Sequence, residues 1–229
     1  MANYHLEIKN ITREKDDPNS CRTKRSSISR RASYICGKKL YDNYLHQNCY
    51  NKRSDVLFRA VYMPEIAPPE YGELQTLCDE IEKAEKRKDS RTAKEFIGAL
   101  PNELGIDENI RIVTDFVGNN FADHGLVAIV AIHEGHKEKD PSRNNPHAHI
   151  LVSTRTLGKD GFNHKKFREL DKRQNIEIWR EHWARLQNRA YERNNLDIRV
   201  SHKSLEVQGI EREPLPHIPL KEWQLEKRE

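Results

Sequence analysis

The stretch Asn145-Pro146-His147-Ala148-His149-Ile150-Leu151-Val152 sets two imidazoles two positions apart at the start of an apolar run. In a strand, alternate side chains share a face, so His147 and His149 project together. Such a pair can grip one metal ion from a rigid element and leave room for ligands from elsewhere. Upstream, Leu126-Val127-Ala128-Ile129-Val130-Ala131-Ile132-His133 reads as a buried strand ending in a third His. The polar loop 134–146 allows the two strands to pair antiparallel, which brings His133 beside the other two. Three neutral imidazoles with open coordination positions form a Lewis-acid site rather than a closed structural one. A His-x-His pair alone also fits the half-exposed face of an ordinary strand. Ligation is favoured because these rings interrupt Ile, Val, Leu and Ala, where a polar ring needs a partner. A zinc-protease reading is excluded. His133-Glu134-Gly135-His136 is one residue short of the spacing that a helical His-Glu-x-x-His needs.

The elements that must carry these residues follow from periodicity. Strands are expected over 4–11, 56–63, 92–100, 126–133 and 147–152. A helix is expected over 26–40, with Ile28, Ala32, Ile35 and Leu40 near one face and Gly37 weakening its last turn. A second helix, 70–88, carries Leu74, Leu77, Ile81 and Ala84 at helical spacing. A third, capped by Asp107, shows Ile110, Val113, Phe116, Val117 and Phe121 and ends near Gly125. A fourth, 177–194, carries Trp179, Trp183, Leu186 and Ala190 as a core stripe, so its Trp residues read as packing. A short closing helix is expected over 201–208, ended by Gly209, and the Pro-rich 214–219 as an extended tail. Together these give an α/β (α+β) fold, one mostly antiparallel central sheet covered by helices. The expected division is one domain over 1–209 and a tail or linker over 210–229. The mixed-charge end 221–229 has no terminating feature, which suggests a chain that continues.

Among 229 residues, 33% are charged and 35% hydrophobic, so the surface is heavily charged around a modest core. The formal net charge of +4 matters less than its distribution. Residues 21–40 hold Arg22, Lys24, Arg25, Arg30, Arg31, Lys38 and Lys39 with no acid. Such a block fits either a phosphate-bearing partner or a solvated helix face. Cys21, Cys36, Cys49 and Cys78 form no Cys-x-x-Cys pair, which points to a reducing compartment. There is no secretory signal and no membrane-length apolar run, so a soluble, cytoplasmic protein is expected.

A divalent ion beside a basic block suggests phosphodiester chemistry, with the ion polarising a phosphoryl oxygen. That chemistry needs a nucleophile. Tyr34 lies inside the block, in Arg30-Arg31-Ala32-Ser33-Tyr34-Ile35-Cys36-Gly37. A phenol on a fixed helix can attack phosphorus and hold it covalently. Taken alone, Tyr34 reads better as an ordinary surface aromatic.

The chain resembles the MobA/MobL family of plasmid mobilisation relaxases, within the larger His-hydrophobe-His endonuclease group. The resemblance is carried by Tyr4-His5-Leu6-Glu7-Ile8-Lys9, by Ala32-Ser33-Tyr34-Ile35-Cys36-Gly37-Lys38-Lys39-Leu40, and by Glu82-Lys83-Ala84-Glu85 through Ala99-Leu100-Pro101-Asn102-Glu103-Leu104. Ala131-Ile132-His133, Asn145 to Ile150 and Ser204 to Ile210 complete it. The resemblance implies that Tyr34 is the nicking tyrosine and that His133, His147 and His149 hold Mg²⁺ or Mn²⁺. It implies that Glu95 orients the tyrosine or takes up its proton, and that Arg22, Lys24, Arg25, Arg30 and Arg31 supply phosphate contacts. It implies cutting of one strand of single-stranded or hairpin DNA at an origin of transfer, a 5′-phosphotyrosyl intermediate and later rejoining. Relaxosome accessory proteins and a coupling protein would be partners. Two departures stand out, a longer stretch around 14–24 and a basic rather than Ala-rich helix before Tyr34. They leave Tyr41 and Tyr44 as fallback nucleophiles. A rolling-circle replication initiator of the same chemistry, or a DNA-binding module without nuclease activity, are the alternatives.

Overall fold

The computed structural model describes residues 4–13, 27–135 and 144–211. Its strands are β1 (Leu6–Thr12), β2 (Leu40–Asp42), β3 (Gln47–Cys49), β4 (Val56–Tyr62), β5 (Arg91–Ala99), β6 (Leu126–His133), β7 (His147–Gly158) and β8 (Gly161–Phe162). Its helices are α1 (Ile28–Cys36), α2 (Leu74–Ala84), α3 (Ile106–Asn120) and α4 (Arg173–Arg193). The main sheet runs β1-β5-β7-β6-β4, and every neighbouring pair is antiparallel. β8 extends β7, while β2 and β3 form a separate hairpin. This is the expected sheet covered by helices.

β6 is buried along its whole length, as a continuous apolar run requires of a strand covered on both faces. Side-chain alternation divides the core in two. Phe96, Val130 and Ile150 face α3 and α4, where they meet Phe116, Phe121, Trp179 and Trp183. Ala93, Ile129 and Leu151 face α1 and α2, where they meet Ile28, Ile35, Leu77 and Ile81. Trp179 and Trp183 are buried packing residues, as their spacing implied.

Several boundaries differ from the sequence reading for local reasons. The first helix ends at Cys36, because Gly37 takes the left-handed conformation (φ 60°), and Leu40 belongs to β2. The 70–88 helix is a 3₁₀ turn, Pro69–Gly72, followed by α2, which stops at Ala84. The cap of α3 is Gly105; Asp107 sits in the first turn, where its charge complements the helix dipole. No helix forms over 201–208, where the chain makes turns. Eight mostly exposed residues, six of them polar, cannot offset the cost of helix nucleation. The Pro-rich 214–219, and the expected tail beyond residue 211, lie outside the described residues. Cys36, Cys49 and Cys78 are free thiols. Among the described residues no helix is long and apolar enough to cross a membrane.

Gly98 shows how closely α4 approaches the sheet. A Cβ built there would stand 2.5 Å from Cζ2 of Trp183, whose indole N–H donates to the Ala99 carbonyl at 3.2 Å. Gly98→Ala is therefore expected to destabilise the fold by roughly 1–3 kcal/mol through overpacking. Urea unfolding would show this as a lower midpoint with an unchanged slope. An unchanged midpoint would mean that Trp183 moves aside freely.

Candidate active site

α1 is held at both ends. At its start, Ser27 caps the helix by accepting the Arg30 N–H, and its hydroxyl donates to buried Asp42. The Ile28 N–H donates to buried Glu82 at 3.1 Å. At its end, Arg59 donates to the Cys36 carbonyl at 2.9 Å, and the His133 ring donates through Nε2 to the Ile35 carbonyl at 2.7 Å. The helix is thereby fixed across the end of β6, and Arg31 and Tyr34 share its outward face at i and i+3.

Register brings the three His together. His133 pairs directly with His147 across β6 and β7, and Ala131 pairs with His149. All three therefore face α1, with ring centroids 4.7 to 5.3 Å apart. One candidate ligand nitrogen from each lies within 4.8 Å of the other two. Each ring also commits its other nitrogen. His133 donates from Nε2 to Ile35, His147 from Nδ1 to the Asn145 carbonyl at 2.8 Å, and His149 from Nδ1 to Glu95 at 3.0 Å. These donations fix the tautomers and leave His133 Nδ1, His147 Nε2 and His149 Nε2 as lone pairs. Nδ1 of His133 is buried without a hydrogen-bond partner, which is costly unless something takes the lone pair. Burial lowers the pKa of His147, and holds His133 at about 4, so both stay neutral as metal ligands must. The donor set fits a divalent ion.

Glu95 is fully buried on β5, on the same sheet face as His149. Its Oε1 accepts from His149, and from Arg31 at 2.8 and 2.5 Å; Lys9 lies 3.6 Å from Oε2. Burial alone would raise its pKa, but the hydrogen bonds from His149 and Arg31 outweigh that and lower it. The carboxylate is thus charged and engaged with His149 rather than with the tyrosine.

Tyr34 is 38% exposed and meets the His149 ring edge-on at 6.5 Å. The Arg31 and Arg53 guanidiniums lie 4.8 and 4.7 Å from its ring centroid. The fallback tyrosines lie elsewhere. Tyr41 is on the β2–β3 hairpin, and the ring of Tyr44 carries the Arg13 guanidinium. Sequence reasoning missed Arg53 and its partner Asp55. The available signal was their place just before β4, whose Val56 pairs with His133.

Of the proposed phosphate-binding residues, Arg22, Lys24 and Arg25 lie outside the described residues. Arg30 is exposed, and Arg31 turns back onto Glu95. A second basic region was not foreseen. At the far end of β7 from the His cluster is a cleft of about 920 Å³. Its lining holds eight Lys and Arg, among them Lys86, Arg91, Arg155 and Lys165, against three acids.

The profile of the MobA/MobL family matches residues 25–228. Mobilization protein A of Escherichia coli is 30% identical over 95% of this chain and 29% of its own length. A probable mobilization protein MobA of Bifidobacterium longum is 26% identical over 95% of this chain and 43% of its own. A probable conjugal transfer protein TraA of Sinorhizobium fredii is 28% identical over 85% of this chain and 20% of its own. The chain thus spans less than half the length of each of these relatives. A solved structure described as the molecular basis of vancomycin resistance transfer in Staphylococcus aureus superposes with a TM-score of 0.73. It is 25% identical and covers 89% of this chain and 100% of that one. The conjugative relaxase TrwC, in a metal-bound complex with oriT DNA, has a TM-score of 0.50 at 11% identity, over 97% and 89% of the two chains. That likeness is one of fold.

If the three imidazoles form one site, Mn²⁺ should raise the melting temperature of the parent protein. His147→Ala should lose most of that shift while keeping its metal-free melting temperature, since His147 is only partly buried. An undiminished Mn²⁺ shift in the variant would remove His147 from the ligand set.

Proposed function

The chain belongs to the MobA/MobL family, and from that we propose that it nicks and rejoins one DNA strand at an origin of transfer, with Tyr34 as nucleophile. The observation that carries this reading is the placement of a partly exposed tyrosine against three imidazoles whose free nitrogens converge. A divalent ion, Mg²⁺ or Mn²⁺, held by His133, His147 and His149 would supply a Lewis acid for the scissile phosphate. α1 would present the Tyr34 hydroxyl to a phosphate held there, since the Tyr34 ring meets His149 edge-on. Its oxygen attacks phosphorus, a bond from Oη to phosphorus forms, and the bond to the 3′-oxygen breaks. The phenol proton leaves to water at the exposed edge, and the departing 3′-oxygen takes one up. The 5′ end stays on Tyr34, and reversal of the same step rejoins the strand.

Glu95 has a positioning role in this reading. Its carboxylate accepts the Nδ1 proton of His149 and so aims Nε2 into the cluster. Six of the eight cations of the distal cleft are paired with acids, and the other two, Lys86 and Lys165, would hold phosphates of the same DNA, single-stranded or folded as a hairpin. A rolling-circle initiator would use the same chemistry, but the family match favours mobilisation. Accessory and coupling proteins would act with the whole protein, of which this chain spans a part.

The chemical test is a covalent adduct with single-stranded origin DNA in Mn²⁺. Tyr34→Phe should bind DNA and metal as the parent does and form no adduct. An adduct that persists, or that maps to Tyr41 or Tyr44, would overturn the assignment. A DNA-binding module without nuclease activity would give no adduct even in the parent.

Glu95→Gln should weaken Mn²⁺ binding by roughly 10- to 100-fold, the usual cost of losing a partner behind a metal ligand. Its adduct rate should recover at saturating Mn²⁺. A rate loss that persists at saturation would instead make Glu95 a proton acceptor. For the cleft, replacing Lys86 and Lys165 by Ala should flatten the plot of log affinity against log salt. The change should be about 0.7 per lost contact on a single strand. An unchanged slope would place the DNA elsewhere.

A further inference from the structure

Arg53 occupies a position that the site's other residues do not explain. It precedes β4 and has no part in the sheet ladder. Gly37 makes room for it, since a Cβ there would lie 3.3 Å from that of Arg53. Asp55 then fixes its guanidinium with paired bonds of 2.8 and 2.5 Å. Asp55 is itself anchored, because its carbonyl accepts the Glu134 N–H at 2.9 Å, next to His133. The hydrogen bond from Arg53 holds the Asp55 carboxyl at about 2, and the bond to Asp55 raises the pKa of Arg53, with a smaller contribution from the Tyr34 phenol. The charge is therefore permanent. It stands 4.7 Å from the Tyr34 ring centroid, and its field reaches His133 and His147. The guanidinium thus packs on the phenol ring, and its charge acts on two of the three imidazoles. Arg31, the other guanidinium on this ring, is bound to the fully buried carboxylate of Glu95, whereas the partner of Arg53 is a partly exposed one.

We propose that Arg53 is a catalytic residue that stabilises the negative charge developing on the Tyr34 oxygen and the transferring phosphoryl group. The inference rests on Tyr34 being the nucleophile of a DNA-nicking reaction. As the bond from Oη to phosphorus forms and the bond to the 3′-oxygen breaks, negative charge concentrates on the phosphoryl oxygens and on the partly deprotonated phenol. A planar donor fork fixed beforehand by Asp55 can meet that charge without reorganising, which is where such groups contribute most. The mobile proton follows the same route as before, from the phenol to water, and Arg53 keeps its own protons throughout. Because the gain arises as charge develops, Arg53 should affect the rate of the chemical step far more than the binding of DNA.

The test is single-turnover adduct formation by the chain with Mn²⁺ and a single-stranded oligonucleotide carrying its plasmid's origin of transfer. Arg53→Gln, at a partly exposed position, should fold as the parent does and react about 10²-fold more slowly. Its oligonucleotide affinity should stay within about threefold of the parent's, as expected when only a transition-state interaction is lost. Arg53→Lys should fall between the two. Guanidinium ions at about 50 mM should restore part of the rate to Arg53→Ala and leave Arg53→Lys unchanged, which a purely structural role would not produce. A rate for Arg53→Gln within about twofold of the parent, or a deficit that vanishes at saturating oligonucleotide, would overturn the proposal. Tyr34→Phe separates the two claims. If that variant still forms an adduct, or the parent forms none, the nucleophile reading fails and takes this proposal with it. If Tyr34→Phe is inactive and Arg53→Gln is not impaired, only the role of Arg53 fails.

Discussion

One hydrogen bond joins the two halves of this site. His133 donates from Nε2 to the carbonyl of Ile35, the residue after Tyr34. A helix ends with carbonyls that lack intrahelical partners, and a buried one must find a donor. Here the donor is the ring whose other nitrogen opens into the imidazole cluster. The same proton therefore satisfies the end of α1, fixes the tautomer of His133 and sets the spacing between tyrosine and cluster. Shifting β6 by one residue would turn His133 to the other sheet face and break all three relations together.

The remaining supports keep α1 from pivoting about that bond. Glu82 is buried and divides its oxygens between two tasks. Oε2 accepts the Arg13 guanidinium and Oε1 accepts the Ile28 N–H. Burying an ion pair is costly, and an apolar pair would often be as stable. What the pair adds is direction, because it ties the end of β1 and the start of α1 to one point on α2. Arg13 also donates to the carbonyls of Glu82 and Glu85, where α2 ends. α1 is thus located relative to β1, α2 and β6 at once.

How much of this was legible depends on the range of each signal. The His cluster was readable because strand period and one antiparallel turn fix it locally, and the register pairs His133 with His147. The core stripes of α3 and α4 were readable for the same reason. Glu95 and Tyr34 are 61 positions apart in sequence, and no period links them. Their placement depended on family resemblance. Arg53 and Asp55 carried no signal beyond their place just before β4, since their importance comes from the pairing of β4 with β6 and from the space left by Gly37. Asp107 and residues 201–208 misled because propensity was applied without tertiary context. A glycine took the cap of α3, and the closing segment found no apolar face to bury.

The charge arrangement at the site has an order of its own. Arg53 is matched by Asp55, and Glu95 is met by Arg31 and Lys9. His133 and His147 add nothing to this balance, because burial holds them neutral. Neutral ligands leave the full charge of a divalent ion available to an anionic substrate, whereas carboxylate ligands would cancel part of it. The carboxylate that touches the cluster is accordingly kept behind a ring. Glu95 touches His149 at Nδ1, so it can strengthen Nε2 as a donor without entering the ligand set itself. A carboxylate at Ile97, directly opposite His149 on the same face, would bind an ion more tightly and attract a phosphodiester less. The fold avoids that by placing Glu95 on β5, level with Leu151, two residue pairs away from Ile97, the strand position opposite His149.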